Sequence, residues 1–153
     1  MRDLASTIAA VMRARNRTVA VAESLTSGNV GLQLGAAKGA SEWFLGGVIA
    51  YGKTVKFSLL GVDPGPVITA RCARQMAEGA ARLTGADFAV ALTGVGGPTH
   101  EEERPPGTVF IAVRSPGGVR VEEHHFRGDP PDILQASTLQ ALRILARDCA
   151  EAG

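Results

Sequence analysis

Leu4, Ile8, Val11 and Met12 recur at the spacing of one helix face, and Arg13 and Arg15 follow where cations suit the helix dipole. The rhythm then changes. Residues 18–22, apolar from Val19 onward, read as a buried strand that stops abruptly at Glu23 and Ser24. Thr26 or Ser27 is expected to cap a short helix toward Leu34, weakened by Gly28 and Gly31. A second strand is predicted over 44–51 and a short helix over 54–60, stopped by Gly61. A longer helix over 67–83 follows, with Arg71, Arg74, Glu78 and Arg82 on one face and Cys72, Met76, Ala80 and Leu83 on the other. Residues 87–93 read as a third strand, followed by a polar loop over 94–106 with acids at 101–103. Strands over 107–113 and 119–126 flank Ser115-Pro-Gly-Gly118, a connection short enough to make them an antiparallel hairpin. Asp129 is placed to cap a final helix whose buried stripe runs through Leu134, Thr138, Ala141, Leu142, Leu145 and Cys149.

Strands alternating with helices, closed by a hairpin and a long helix, predict an α/β fold. The arrangement is a three-layer α/β/α sandwich around a mixed sheet of about five strands. At 153 residues the chain fits one domain over 1–153, and no internal repeat or linker interrupts it.

Composition removes several function classes. Net charge is +1 with acids and bases scattered, so no electrostatic footprint for nucleic acid is present. No apolar run approaches the ~20 residues of a membrane span, and the expectation is a cytoplasmic protein without a membrane partner. Cys72 and Cys149 stand alone on apolar helix faces and read as two buried reduced thiols, with no metal-ligand spacing around them. No metal or other cofactor is implied. A symmetric homo-oligomer is expected for a small α/β protein of this kind.

Three strands end in reactive or flexible residues: Val21-Ala-Glu-Ser-Leu-Thr-Ser-Gly28, Phe44-Leu-Gly-Gly-Val-Ile-Ala-Tyr51 and Leu92-Thr-Gly-Val-Gly-Gly-Pro98. Ligands of open α/β sheets bind at such carboxyl ends. Histidine offers little there: His124 and His125 are adjacent on a strand and point to opposite faces, and His100 lies in the acidic loop. Serine with lysine remains. If the first two strands are neighbours, Lys53 or Lys56 reaches Ser24, and a lysine whose pKa is lowered by burial or by a nearby cation can act as general base. Lysines on a short helix are otherwise simply solvated, and spacing alone leaves both readings open. The Gly94–Gly97 turn offers amides for an anion or oxyanion, or is merely a turn.

Several motifs in order resemble the CinA C-terminal domain family, which includes nicotinamide mononucleotide amidohydrolases. They are Ala22-Glu-Ser-Leu-Thr-Ser-Gly28, Trp43-Phe-Leu-Gly-Gly-Val-Ile-Ala-Tyr51 with Lys56, Leu92-Thr-Gly-Val-Gly-Gly-Pro98, Pro106-Gly-Thr-Val109 and Phe126-Arg-Gly-Asp129. The resemblance implies hydrolysis of the nucleotide's carboxamide to the acid and ammonia, with a pyridine mononucleotide as small-molecule partner. It makes Ser24 the nucleophile and Lys56 its base, with Tyr51 and Thr93 as polar participants. Substrate contacts are expected from Glu23, Thr26 and Lys53, from the backbone at Gly94, Gly96 and Gly97, and from Arg127.

The chain also departs from the family pattern. Gly52 and Lys53 replace a Ser-Asn pair, Leu25 and Ser27 stand in the serine motif, and Val67-Ile-Thr69 replaces Val-Ser-Glu. Pro130 occupies the place of an arginine suited to a substrate phosphate, a charge-assisted contact of the strong kind. Lys53, Arg104 or Arg127 are the candidates to compensate. Two alternatives follow: an amidohydrolase acting on another small amide, and an inactive small-molecule binding or regulatory module of the same fold.

Overall fold

The computed structural model describes residues 1–152. In chain order the elements are α1 (Arg2–Arg15), β1 (Val19–Glu23), α2 (Asn29–Gly35), α3 (Ala40–Trp43), β2 (Phe44–Ile49) and α4 (Lys53–Ser58). Then come α5 (Ala70–Thr84), β3 (Phe88–Gly94), β4 (Thr108–Ser115), β5 (Gly118–His125) and α6 (Pro130–Glu151). The five strands form one sheet in the order β2-β1-β3-β4-β5. β1 runs parallel to both β2 and β3, while β4 and β5 are antiparallel additions. The fold is the mixed α/β sheet with helices on both faces that the pattern predicts.

Position in the sheet explains the strand sequences. β1 and β3 are buried along their whole length and are apolar up to Glu23 and Thr93 near their carboxyl ends, whereas the outer strands β2 and β5 largely alternate between shielded and exposed residues. The two faces also differ in side-chain size. Val19, Val21, Phe88, Val90, Leu92 and Ile111 pack with α1, α2 and α6, while Ala22, Ala89, Ala91 and Ala112 face α5. The alanine face lets α5 lie close, and its own Ala73, Ala77 and Ala80 complete the contact. Gly79 takes this to the limit: a Cβ there would run into the Leu60 carbonyl.

Some local expectations are revised. Neither Thr26 nor Ser27 caps α2; the Glu23 carboxylate does so from the end of β1. The long helix begins at Ala70, capped by Thr69 Oγ1 accepting from Cys72 N at 3.0 Å, so Val67 and Ile68 precede it with their amides free of the helix ladder. Leu83 keeps the phase of the buried face but falls in the last turn, where it is 49% exposed. Asp129 caps α6 in a capping box with Asp132, as the sequence indicates. Cys72 and Cys149 are buried and unbridged. No helix among the described residues is long and apolar enough to cross a membrane.

Candidate active site

Because β2, β1 and β3 are parallel neighbours, their carboxyl ends open onto the same edge of the sheet. Glu23 pairs with Ile49, which brings the segment after β1 beside the segment after β2. A cavity of about 480 Å³ lies there, lined by Ser24, Tyr51, Lys53, Lys56, the glycines 94, 96 and 97, and Glu101 and Glu102 among others. This is within the range of small-molecule sites.

Ser24 and Lys56 meet in its wall. Lys56 Nζ lies 3.0 Å from Ser24 Oγ, 2.8 Å from the Ala50 carbonyl oxygen and 3.0 Å from that of Tyr51. Lys56 is only 2% exposed although α4 is a short surface helix, because its side chain runs inward under residues 50 and 51. Burial pushes its amine below the usual lysine range, and Lys53 pushes the same way, while Glu101 and Glu102 oppose. Cys72 would also oppose as a thiolate, but burial raises its own pKa and keeps it a neutral thiol. A neutral amine has two N–H bonds and one lone pair. With the N–H bonds directed at the two carbonyls, the lone pair is left to accept the Ser24 hydroxyl proton, the arrangement a general base requires.

The residue next to Ser24 has a different task. Glu23 is fully buried. Its Oε1 accepts from Thr26 Oγ1 at 2.6 Å, Gly28 N at 3.1 Å and Val30 N at 3.0 Å, and its Oε2 from Gly31 N at 2.8 Å. These are the first amides of α2, whose positive dipole end suits a carboxylate. Glu23 and Thr26, expected to contact substrate, are both buried, lie outside the cavity lining and are bonded to each other, fixing the turn that presents Ser24.

Thr93 is likewise buried, and its hydroxyl donates to the Val67 carbonyl at 2.7 Å, tying the lead into α5 to β3. It positions the wall and does not face the cavity. Tyr51 contributes its carbonyl to Lys56 and an exposed ring to the cavity rim. Lys53 reaches the cavity, 3.7 Å from Glu102. Gly94, Gly96 and Gly97 line it as expected, Gly94 lying so close to β4 that a Cβ would collide with Thr108 and Val109. Arg127 is exposed and is not part of the lining.

Glu101 and Glu102 are wall residues that the sequence reading left in a polar loop. Glu102 accepts from Val67 N at 3.1 and 2.9 Å and from Ile68 N at 2.8 Å. Burial opposes its ionisation, but these amides and Lys53 outweigh that and hold the carboxyl below its usual range. A run of three acids was the only local sign of this.

Comparison with known proteins agrees with the motif order. The CinA C-terminal domain profile matches residues 1–149. The chain belongs to the CinA C-terminal domain family. A CinA-like protein of Geobacter metallireducens is 36% identical over 148 residues, covering 93% of this chain and 36% of that protein. A CinA-like protein of Synechocystis is 43% identical over 121 residues, 75% of this chain and 29% of its own length. The chain thus spans about a third of the curated relatives it matches. Among solved structures, the competence damage-inducible protein A of Klebsiella pneumoniae superposes with a TM-score of 0.95 at 27% identity, covering 99% of this chain and 98% of that one. The competence/damage inducible protein CihA of Agrobacterium tumefaciens gives a TM-score of 0.90 at 30% identity, over 95% and 93% of the two chains. The CinA-like domain fold is therefore present here.

Proposed function

We propose that this CinA-family chain is an amidohydrolase that cleaves a small carboxamide with Ser24 and Lys56. The observation that carries the reading is a buried lysine whose Nζ lies 3.0 Å from a serine hydroxyl in the wall of an open cavity. Ser24 Oγ attacks the carboxamide carbon and its proton passes to Lys56 Nζ. The resulting oxyanion is received at the turn after β3, where Gly96 and Gly97 line the cavity. Lys56 then returns the proton to the departing nitrogen, so that ammonia leaves and an ester to Ser24 remains. Water, deprotonated by Lys56, hydrolyses that ester to the carboxylate and regenerates the serine.

Nicotinamide mononucleotide is the substrate that the family resemblance implies, and it is the first to assay. Ammonia release is measured with the parent protein, Ser24→Ala and Lys56→Ala. Turnover lost in both variants, each still folded by circular dichroism, supports the dyad. Turnover that survives Ser24→Ala sinks it. A second reading, a carboxamide without a phosphate, is favoured by Pro130, which lies at the start of α6 where the family pattern has an arginine.

A further inference from the structure

The cavity that holds Ser24 continues at Leu25 and Tyr51 into an annex of about 350 Å³. Gly96 and Gly97 also line both, and the first turns of α6 wall the far side. Among the described residues no charged side chain lines the annex. Its surface is mainly apolar, with Leu25, Leu134 and Pro130 contributing, and its polar side chains are those of Ser27, Gln135 and Tyr51. Leu25, Ser27 and Pro130 are also positions at which the chain departs from its family's pattern, and they converge on this one recess.

Ser27 stands there against its backbone preference. Its φ is 53°, in the left-handed region that glycine enters freely and serine does not. The turn after β1 holds it: Ser27 N donates to Ser24 O at 3.1 Å, and Gly28 N donates to Glu23 Oε1 at 3.1 Å. Neither bond uses the Ser27 side chain, so a glycine would serve the turn with less strain. What serine adds is a hydroxyl on the annex wall, carried by the same turn that presents Ser24. Gln135, an exposed residue of α6, brings a side-chain carboxamide to the same recess.

An uncharged apolar recess edged by a hydroxyl, a carboxamide and a phenol suits a sugar. The C–H faces of the ring lie against leucine and proline, while its hydroxyls pair with Gln135, which both donates and accepts, and with Ser27, which does either. A bare hydrocarbon in the same place would strip water from these groups and leave them unpaired.

We propose that the annex is a sugar subsite and that Ser27 and Gln135 are specificity-determining residues, reading the hydroxyls of a sugar attached to the carboxamide substrate. This rests on the Ser24–Lys56 amidohydrolase reading and adds the substrate's second contact region. It neither requires nor forbids a phosphate on that sugar.

Nicotinamide riboside and 1-methylnicotinamide test it, because both carry the pyridinium carboxamide and only the first carries a sugar. Dissociation constants are measured by calorimetry in the Ser24→Ala background, where binding is read apart from turnover. The riboside is expected to bind about tenfold more tightly than the methyl compound. Ser27→Gly, which also relieves the left-handed backbone, and Gln135→Leu should each weaken the riboside by about three- to tenfold, the worth of one neutral hydrogen bond. The methyl compound should not respond, and nicotinamide mononucleotide should weaken by the same factor as the riboside. No riboside preference, riboside binding unmoved by both variants, or a loss confined to the mononucleotide overturns the proposal. A sugar preference that both variants erode, without ammonia release by the parent protein, would instead sink the amidohydrolase reading and leave the subsite standing.

Discussion

Lys56 Nζ lies 3.0 Å from the hydroxyl oxygen of Ser24, a residue 32 positions earlier in the chain, and holds two main-chain carbonyls as well. Replacing Lys56 with methionine removes the base but keeps most of the buried volume. Ammonia release is expected to fall by about 10²–10⁴, the usual contribution of a positioned general base. Stability at neutral pH should change by no more than about 1 kcal/mol, because relief of the buried amine offsets the two carbonyl bonds lost. Kinetics paired with urea unfolding of the same variant checks both parts.

The lowered pKa of Lys56 fixes the sign of two pH effects. Activity should rise with pH along a limb whose midpoint lies below the ordinary lysine value of 10.5, as the amine becomes free to accept the serine proton. In the window between the folded and unfolded pKa values the unfolded chain holds the extra proton, so stability also rises with pH there. This contribution is complete above the unfolded value and lost as pH falls through the folded one. Lys56→Met should abolish that slope, measured as unfolding free energy against pH. An unchanged slope would mean that another group titrates.

Glu23→Ala is expected to destabilise the protein by roughly 3 kcal/mol, because it strands the first amides of α2 in the interior. Thr26→Val removes one bond to the same carboxylate and should cost about 1 kcal/mol. Urea midpoints of the two variants test the ranking. Equal effects would show that the carboxylate is no strut.

Gly79→Ala sets helix propensity against packing. Alanine gains about 1 kcal/mol in a helix interior. Its Cβ would meet the Leu60 carbonyl, and overpacking of this kind costs about 1–3 kcal/mol. A lower melting temperature is expected. A higher one would show that α5 can retreat from Leu60.

Pro130→Arg supplies a guanidinium at the mouth shared by Leu25, Tyr51 and Gly97. The KM for nicotinamide mononucleotide should fall by about tenfold, a charge-assisted phosphate contact, with little change for the same compound lacking its phosphate. Equal shifts for both substrates would place the new side chain away from the phosphate.

What was legible in the sequence follows from range. The central strands announce themselves because burial on both sides demands continuous apolar runs, and α6 because its cap and its stripe are local. α3 was missed: four residues leave no room for a periodic signal, and Gly39 starts them in a left-handed conformation. Spacing alone offers Ser24 either Lys53 or Lys56 and only the family resemblance selects Lys56, since their meeting depends on β1 lying beside β2 in one register. The structural part of Glu23 is hidden for the same reason, its partners lying in a turn whose shape the carboxylate itself decides. Glu102 meets Val67 across 35 residues of sequence, and three consecutive acids give no hint which one turns inward.

Neighbours in the chain, Glu23 and Ser24 continue opposite faces of β1. One carboxylate follows Val19 and Val21 toward α2, and one hydroxyl follows Ala22 toward α4. The pleat thereby separates scaffold from chemistry by a single peptide unit. A change in the wall at Glu102 or at the mouth by residue 130 alters the cavity while the strut on the far side of the sheet stays untouched. Such a partition lets the cavity around Ser24 change its shape without disturbing the turn that holds the residue.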